Sequence, residues 1–171
     1  DLVAGSPSLR RRYLDITLCQ INPKYCRALS EYNQVIVQRS HLLRRLRERA
    51  GDPEQLHYWD ETLMGRGAEV MAWRRKTIQI LDGLAGAIHD DLAGGRESLL
   101  LRYQPSLPLP DSQPSLDTEL AVTDEEISGI RAEFARKLPQ IRRQEILQGA
   151  CLAGPHRDDF RFIVNEWDLQ T

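Results

Sequence analysis

Two long apolar seams separated by a three-residue turn constrain this chain more than any other feature. Tyr25, Leu29, Tyr32, Ile36, Arg39, Leu43 and Leu46 recur at alternating steps of four and three, with Arg39 the only polar member. That spacing keeps them on one side of a helix and is the pattern by which two helices bury each other. Leu56, Trp59, Leu63, Val70, Trp73, Thr77, Leu84 and Ile88 form a second seam, which Arg66 interrupts and in which Leu81 marks a drift of register. Gly51-Asp52-Pro53 lies between them; the glycine ends one helix and Asp-Pro caps the next. So short a link predicts an antiparallel hairpin. A second helix running to about Leu92 spans roughly 60 Å, so the expectation is an elongated arm rather than a compact bundle.

The flanks carry local signals of their own. Ser6-Pro7 and Asn22-Pro23 are helix starts, each a capping side chain followed by a proline whose φ is already set. The first opens a helix to about Cys19 and the second opens the first seam. Leu99, Leu101 and Tyr103 alternate as a strand does. Pro105 to Pro114 reads as a loop or extended linker. Thr123-Asp124-Glu125-Glu126 is a capping box, followed by Ile127, Ile130, Phe134, Leu138 and Ile141 at helical spacing. Pro139 is expected to kink or restart that helix, and Gly149 to end it. Phe160 to Val164 reads as a strand, Asn165-Glu166 as a hairpin tip and Trp167 as the start of a second strand. The fold class is therefore mainly α: a long antiparallel, coiled-coil-like hairpin with additional helices and short β segments.

Composition narrows the function classes. With 28% charged and 41% hydrophobic residues the chain is neither disordered nor membranous, and no apolar run reaches the roughly 20 residues of a bilayer span. No signal-peptide pattern is present, and the opening Asp1-Leu2-Val3-Ala4-Gly5 reads like the end of a strand inside a larger protein. Cys19, Cys26 and Cys151 lack CxxC spacing, which argues against a disulfide framework or a structural zinc site and favours a reducing, cytoplasmic setting. The net charge of −2 hides a gradient: residues 1–51 carry ten basic and four acidic side chains, residues 52–95 four basic and eight acidic. Complementary faces of two antiparallel helices account for this gradient; a phosphate-facing surface is the sharper alternative.

There is no P-loop, GxGxxG, GxSxG or HExxH. His41, His57 and His89 are scattered over helices and form no ligand set. Two segments stand out. Gly5-Ser6-Pro7-Ser8-Leu9-Arg10-Arg11-Arg12-Tyr13-Leu14-Asp15 places three arginines on a capped helix start. Successive helical positions lie about 100° apart, so at most two of the three arginines can face one partner. Gly154-Pro155-His156-Arg157-Asp158-Asp159 is a dense polar loop before a hairpin. It is either a functional loop or a turn held by aspartates bonding backbone amides.

These two segments, in this order and with a helical insert between them, resemble the bacterial RecF family, ABC-type ATPases related in fold to the SMC-type proteins. The resemblance covers essentially the whole chain. It implies that residues 1–22 lead from an ATPase head into an arm. Residues 23–147 would form the helical arm domain, with a strand near 97–104 and a Pro-rich loop over 105–116. Residues 148–171 would return to the edge of the head as a loop and β-hairpin. The family's P-loop would lie upstream, and its signature and Walker B motifs downstream. No catalytic residue, metal ligand or cofactor site therefore falls on this chain, which is expected not to be an enzyme by itself. ATP and Mg belong to the parent, a weak DNA-dependent ATPase expected to dimerise around ATP. The resemblance implies binding of gapped or junction DNA and cooperation with RecO and RecR in loading RecA. Candidate phosphate contacts are Arg10, Arg11 and Arg12 near the head and Arg44, Arg45, Arg47 and Arg49 near the arm tip. Gly154, Pro155, His156, Arg157, Asp158 and Asp159 would form a head-side structural or coupling loop. Two readings from other classes compete with this one. One is a coiled-coil module recruiting a protein partner through an exposed Arg39 and the acidic third helix. The other is a small hydrolase using His156 with Asp158 or Asp159 as a dyad.

Overall fold

The computed structural model describes residues 2–110 and 120–170. Four helices and a small sheet follow one another as α1 (Pro7–Ile21), α2 (Pro23–Arg47), α3 (Leu56–Ala93), β1 (Leu99–Gln104), α4 (Asp124–Gln148), β2 (Asp159–Val164) and β3 (Trp167–Asp168). Short 3-10 turns at Pro53–Gln55 and Pro155–Arg157 precede α3 and β2.

The starts lie where local chemistry puts them. The Asn22 side chain accepts the amides of Lys24 and Tyr25, and Asp52 accepts that of Glu54. Thr123 and Glu126 form the reciprocal capping box at α4. Ser6 precedes α1, but its hydroxyl turns to Ser8 at 2.8 Å rather than to a backbone amide. Helix α4 runs through Pro139 without ending. The residue is exposed, so the carbonyl that its missing N–H leaves free meets water. The part of the Pro-rich loop from 111 to 116 lies outside the described residues.

The α2–α3 hairpin forms as expected, but its partner was not foreseen. Helix α4 packs along both members, antiparallel to α3, and makes a three-helix bundle of what the seams describe as a two-helix rod. The cause is visible in the burial of α2. Tyr25, Ala28, Tyr32, Val35, Arg39, Leu42, Leu43 and Leu46 are buried, while the seam positions Leu29 and Ile36 are only partly so. That stripe is wider than an a/d seam and serves two neighbours. Gly67 sits where the three helices meet, and a Cβ there would lie 2.9 Å from Phe134 and 3.2 Å from Tyr32. Leu63, Val70, Met71, Phe134 and Leu138 fill the centre, with Leu14 and Leu18 of α1 closing one end. Each such apolar side chain contributes roughly 1.5–3 kcal/mol by leaving water.

The second seam loses its helical partner beyond Ile78. At 38 residues α3 is about 57 Å long, against about 37 Å for the 25 residues of α2. Leu84, Ile88 and Leu92 are exposed, and this distal half of α3 lies beside β1 instead. The Asp82 carboxylate accepts the Leu101 amide at 2.6 Å and ties the two together. The sheet order is β1-β2-β3, antiparallel, with Leu99 opposite Val164 and Gln104 opposite Asp159. Asn165 and Glu166 take positive φ (48° and 71°), as a two-residue hairpin turn demands.

Candidate functional site

The two polar segments, some 150 residues apart in sequence, meet. Arg10 is buried and donates from Nε and Nη2 to the two carboxylate oxygens of Asp159, each at 2.8 Å. Its Nη1 donates to the Gly5 carbonyl at 2.5 Å. The hydrogen bonds to Asp159 raise the Arg10 pKa. Burial alone would raise Asp159, but Arg10, the Phe160 amide and Arg161 hold it below the usual carboxylate range. Arg10 is thus spent inside the protein, which corrects its place among the candidate phosphate contacts. The three arginines divide as helical geometry requires: Arg10 inward, Arg11 half-buried with Nη1 on the Asp158 carbonyl at 2.6 Å, and Arg12 exposed.

Below them a second tie spans three helices. Asp15 of α1 accepts Nε and Nη2 of Arg74 at 2.8–3.0 Å and the Tyr25 hydroxyl at 2.5 Å. Arg74 Nη1 donates to the Pro155 carbonyl at 2.6 Å. Burial works against the Arg74 charge, but Tyr25 and Asp15 outweigh it and raise its pKa. Sequence reasoning missed Arg74; the available signal was a second arginine near an apolar seam, like Arg39.

Each residue of the Gly154–Asp159 loop has a defined place. Gly154 adopts φ 126°, and the Tyr32 hydroxyl occupies the space that a Cβ would need. Its N–H donates to Ser106 Oγ, and its carbonyl accepts from the same hydroxyl, both at 2.9 Å. His156 Nδ1 lies 2.6 Å from the Tyr32 hydroxyl and Nε2 lies 3.2 Å from the Cys151 carbonyl. Burial pushes His156 down to about 4, so it is neutral at pH 7. Its neutral ring accepts from Tyr32 and donates to Cys151. Arg157 also donates to the Cys151 carbonyl. Asp158 is fully enclosed, accepts from the Tyr103 hydroxyl and the Ser106 amide, and is raised by burial. The hydrolase dyad is overturned: the ring partners of His156 are a tyrosine and a carbonyl, and both aspartates are engaged elsewhere.

Arg39 corrects another expectation. It is not exposed: its side chain is 0% accessible and bridges Asp60 at 2.8 Å and Glu145 at 2.6 Å, with Cys151 Sγ at 3.3 Å. Arg142 also pairs with Asp60, and Glu145 accepts the Leu152 amide at 2.9 Å. The protein-recruitment reading loses the residue on which it leaned.

The tip arginines behave differently. Arg44, Arg45, Arg47 and Arg49 are all exposed. Arg47 touches the Gln148 carbonyl at 3.4 Å and Glu48 at 4.0 Å. Asp60 and Glu61 do not pair with them, since Asp60 is held by Arg39 and Arg142 and Glu61 by Arg131. Among the described residues there is no group of three or more side chains placed to hold a metal, and no helix long and apolar enough to cross a membrane.

A three-helix bundle lies against a small antiparallel sheet, and the start of α1 is joined to the start of β2 by the Arg10–Asp159 pair, with Arg11 and Arg74 tying the loop before β2 to the helices. No protein-family model matches the chain. Among curated proteins it is 42% identical over 171 residues to the DNA replication and repair protein RecF of Herpetosiphon aurantiacus, covering 99% of this chain and 40% of that protein. The RecF proteins of a Synechococcus strain (36% identical, 96% and 41% covered) and of Halalkalibacterium halodurans (34%, 100% and 43%) are similar. The chain is homologous from end to end to a region of the RecF proteins, and spans about 40% of the length of these relatives. Its fold is that of the same region in the structure described as the recombination mediator protein RecF-ATP in the RecFOR pathway. There the TM-score is 0.85 at 24% identity, with 99% of this chain and 42% of that one covered.

Proposed function

We propose that this chain is the helical arm of a RecF-type recombination mediator and that the arm tip contacts the phosphate backbone of DNA. The end-to-end match to RecF proteins supports the first part, and four exposed arginines at the turn of the hairpin support the second. Residues 1–22 and the end of the 148–171 segment, from Gly154 on, form the base that joins the arm to an ATPase head, while Gln148 and Gly149 still lie beside Arg44 and Arg47 at the tip. The head supplies ATP binding with Mg, while the arm itself catalyses nothing. The parent dimerises on ATP, binds gapped or junction DNA in the cytoplasm and works with RecO and RecR. Arginine–phosphate contacts give affinity that falls steeply with salt and reads little sequence.

The test uses the full-length parent and a fluorescent gapped duplex over a salt series. Replacing Arg44, Arg45, Arg47 and Arg49 with Ala lowers affinity at least about tenfold at low salt and flattens the salt slope by roughly one unit per lost phosphate contact. Unchanged binding removes the tip from the mechanism. The competing reading, a protein-recruiting module, rests on an open groove between α2 and α3 lined by Val37, Tyr58, Trp59 and Thr62. It gains ground if charge reversal on α3 abolishes partner binding and spares DNA binding.

A further inference from the structure

Where the two polar segments meet there is a cleft of about 260 Å³, lined by Ser8, Arg11, Arg12 and Asp15 of α1, by Arg74 and His156, and by residues of α2. Three guanidinium groups face it against one carboxylate. That carboxylate, Asp15, is already consumed by Arg74 and the Tyr25 hydroxyl. Asp158 turns its oxygens to Tyr103 and Ser106, and Asp159 is taken by Arg10. Arg11 is half-buried here, and among the described residues its one hydrogen-bond partner is the Asp158 carbonyl. Its other four N–H donors make no hydrogen bond to the described residues. Burial, then the neighbouring Arg74, disfavour its charge, and together they outweigh the opposing pull of Asp159, Asp158 and Asp15. Arg12, one position on, is exposed and forms no ion pair among the described residues. His156 adds no charge, and its ring nitrogens are already taken by Tyr32 and Cys151.

We infer that this cleft binds one phosphate group, held by Arg11 and Arg12 with the Ser8 hydroxyl beside them. A partly buried guanidinium beside a like charge, with its neighbouring carboxylates bonded elsewhere, is stabilised by an anion that takes two of its donors at once. The volume suits a single phosphate with its waters and falls short of the roughly 300 Å³ at which pockets enclose a whole small-molecule ligand. The phosphate belongs either to a nucleic-acid backbone laid across the cleft or to the phosphate end of a nucleotide whose remainder lies outside it. The site is distinct from the tip: along α2, Tyr32 and Leu46 are about 20 Å apart.

The chain itself is titrated with inorganic phosphate at constant ionic strength, while the side-chain NMR signals of Arg11 and His156 are followed. Saturable shifts of both are expected. Arg11→Gln weakens binding about tenfold, Arg12→Gln less, and Arg11→Lys retains more than Arg11→Gln. Unmoved signals, or an Arg11→Gln variant that is folded by its backbone spectrum and binds as tightly as the parent, overturn the inference. A short DNA duplex and ATP are then each offered in competition. The DNA arm is run on a chain whose tip arginines are Ala, so that failure of the tip contact and failure of the cleft read out separately. Displacement by DNA alone assigns the cleft to a backbone phosphate, and displacement by ATP alone to a nucleotide. If neither displaces phosphate, the cleft holds an adventitious ion only and the inference falls.

Discussion

Arg39 and Arg45 lie six residues apart on one helix and live under opposite conditions. Arg39 is fully enclosed and clamped between Asp60 and Glu145. Arg45 is exposed and forms no ion pair among the described residues. Position explains the difference. Tyr25, Tyr32, Arg39 and Leu46 recur every seven residues on the buried face, and Arg39 inherits that face, while Arg45 points away from it. The comparison teaches that arginine content says little about what a helix does. An arginine on the apolar stripe is a joint whose loss threatens the fold. One off the stripe beside the turn is available to a partner.

The sharpest way to break this comparison is to empty the joint. Arg39→Met leaves Glu145 without a counter-ion in a dry interior, while Asp60 keeps only Arg142, so it destabilises the chain by about 3–5 kcal/mol in denaturant melts. Arg39→Met with Glu145→Gln recovers most of that loss, because the paired acid goes and the amide still accepts the Leu152 N–H. Equal destabilisation by both variants shows that packing, not charge, sets the cost.

The next effect is smaller and runs with pH. The buried His156 sits at about 4 in the folded chain, against about 6.5 when unfolded. The unfolded state therefore binds more protons between these values, and stability falls as pH drops from about 6.5 to about 4, by at most about 3 kcal/mol. Asp158, raised by burial, works in the opposite direction above its ordinary value. Asp159, held low, loses its contribution only further into acid. The difference between parent and His156→Gln isolates the histidine: the variant has a flatter pH–stability curve between pH 6.5 and 4.5. If the two curves are parallel, the same interior that demands carboxylates beside Arg39 does not reject a charge at His156.

A third measurement calibrates the scale. Arg131 and Glu61 form an ion pair between α4 and α3 with both side chains about half exposed. A double-mutant cycle to Ala gives a coupling below about 1 kcal/mol, declining with salt.

The legible part of this molecule is the part decided by neighbours in sequence. Asn22-Pro23, the Thr123 capping box and the Asn165-Glu166 tip each rest on residues within a few positions, and each forms as read. Arg39 shows why the rest was hidden. Its partners lie 21 and 106 residues away, and nothing in a seam of steps three and four announces a third helix behind it. The same holds for the loop. Gly154 needs its glycine because of Tyr32, and Arg10 its burial because of Asp159, partners 122 and 149 residues distant. The meeting of two polar segments was legible as a resemblance to RecF. That it takes the form of a buried joint was not, since burial of a charge depends on a counter-ion that only the fold supplies.

The smallest expected stability effect carries the most about function. Arg44, Arg45, Arg47 and Arg49 are exposed, and Arg44, Arg45 and Arg47 lie in the last turn of α2, where positive charge favourably opposes the helix dipole. If that is their whole role, each change to Ala lowers stability by a few tenths of a kcal/mol, and DNA binding by the parent does not move. If they face phosphate, stability again shifts by no more than about 0.5 kcal/mol per residue, while affinity and its salt slope both fall. Melting temperature and salt-dependent affinity measured on the same variants therefore separate the two roles. The contrast with Arg39, where stability collapses before binding can be asked about, is what makes the tip the informative end of the helix.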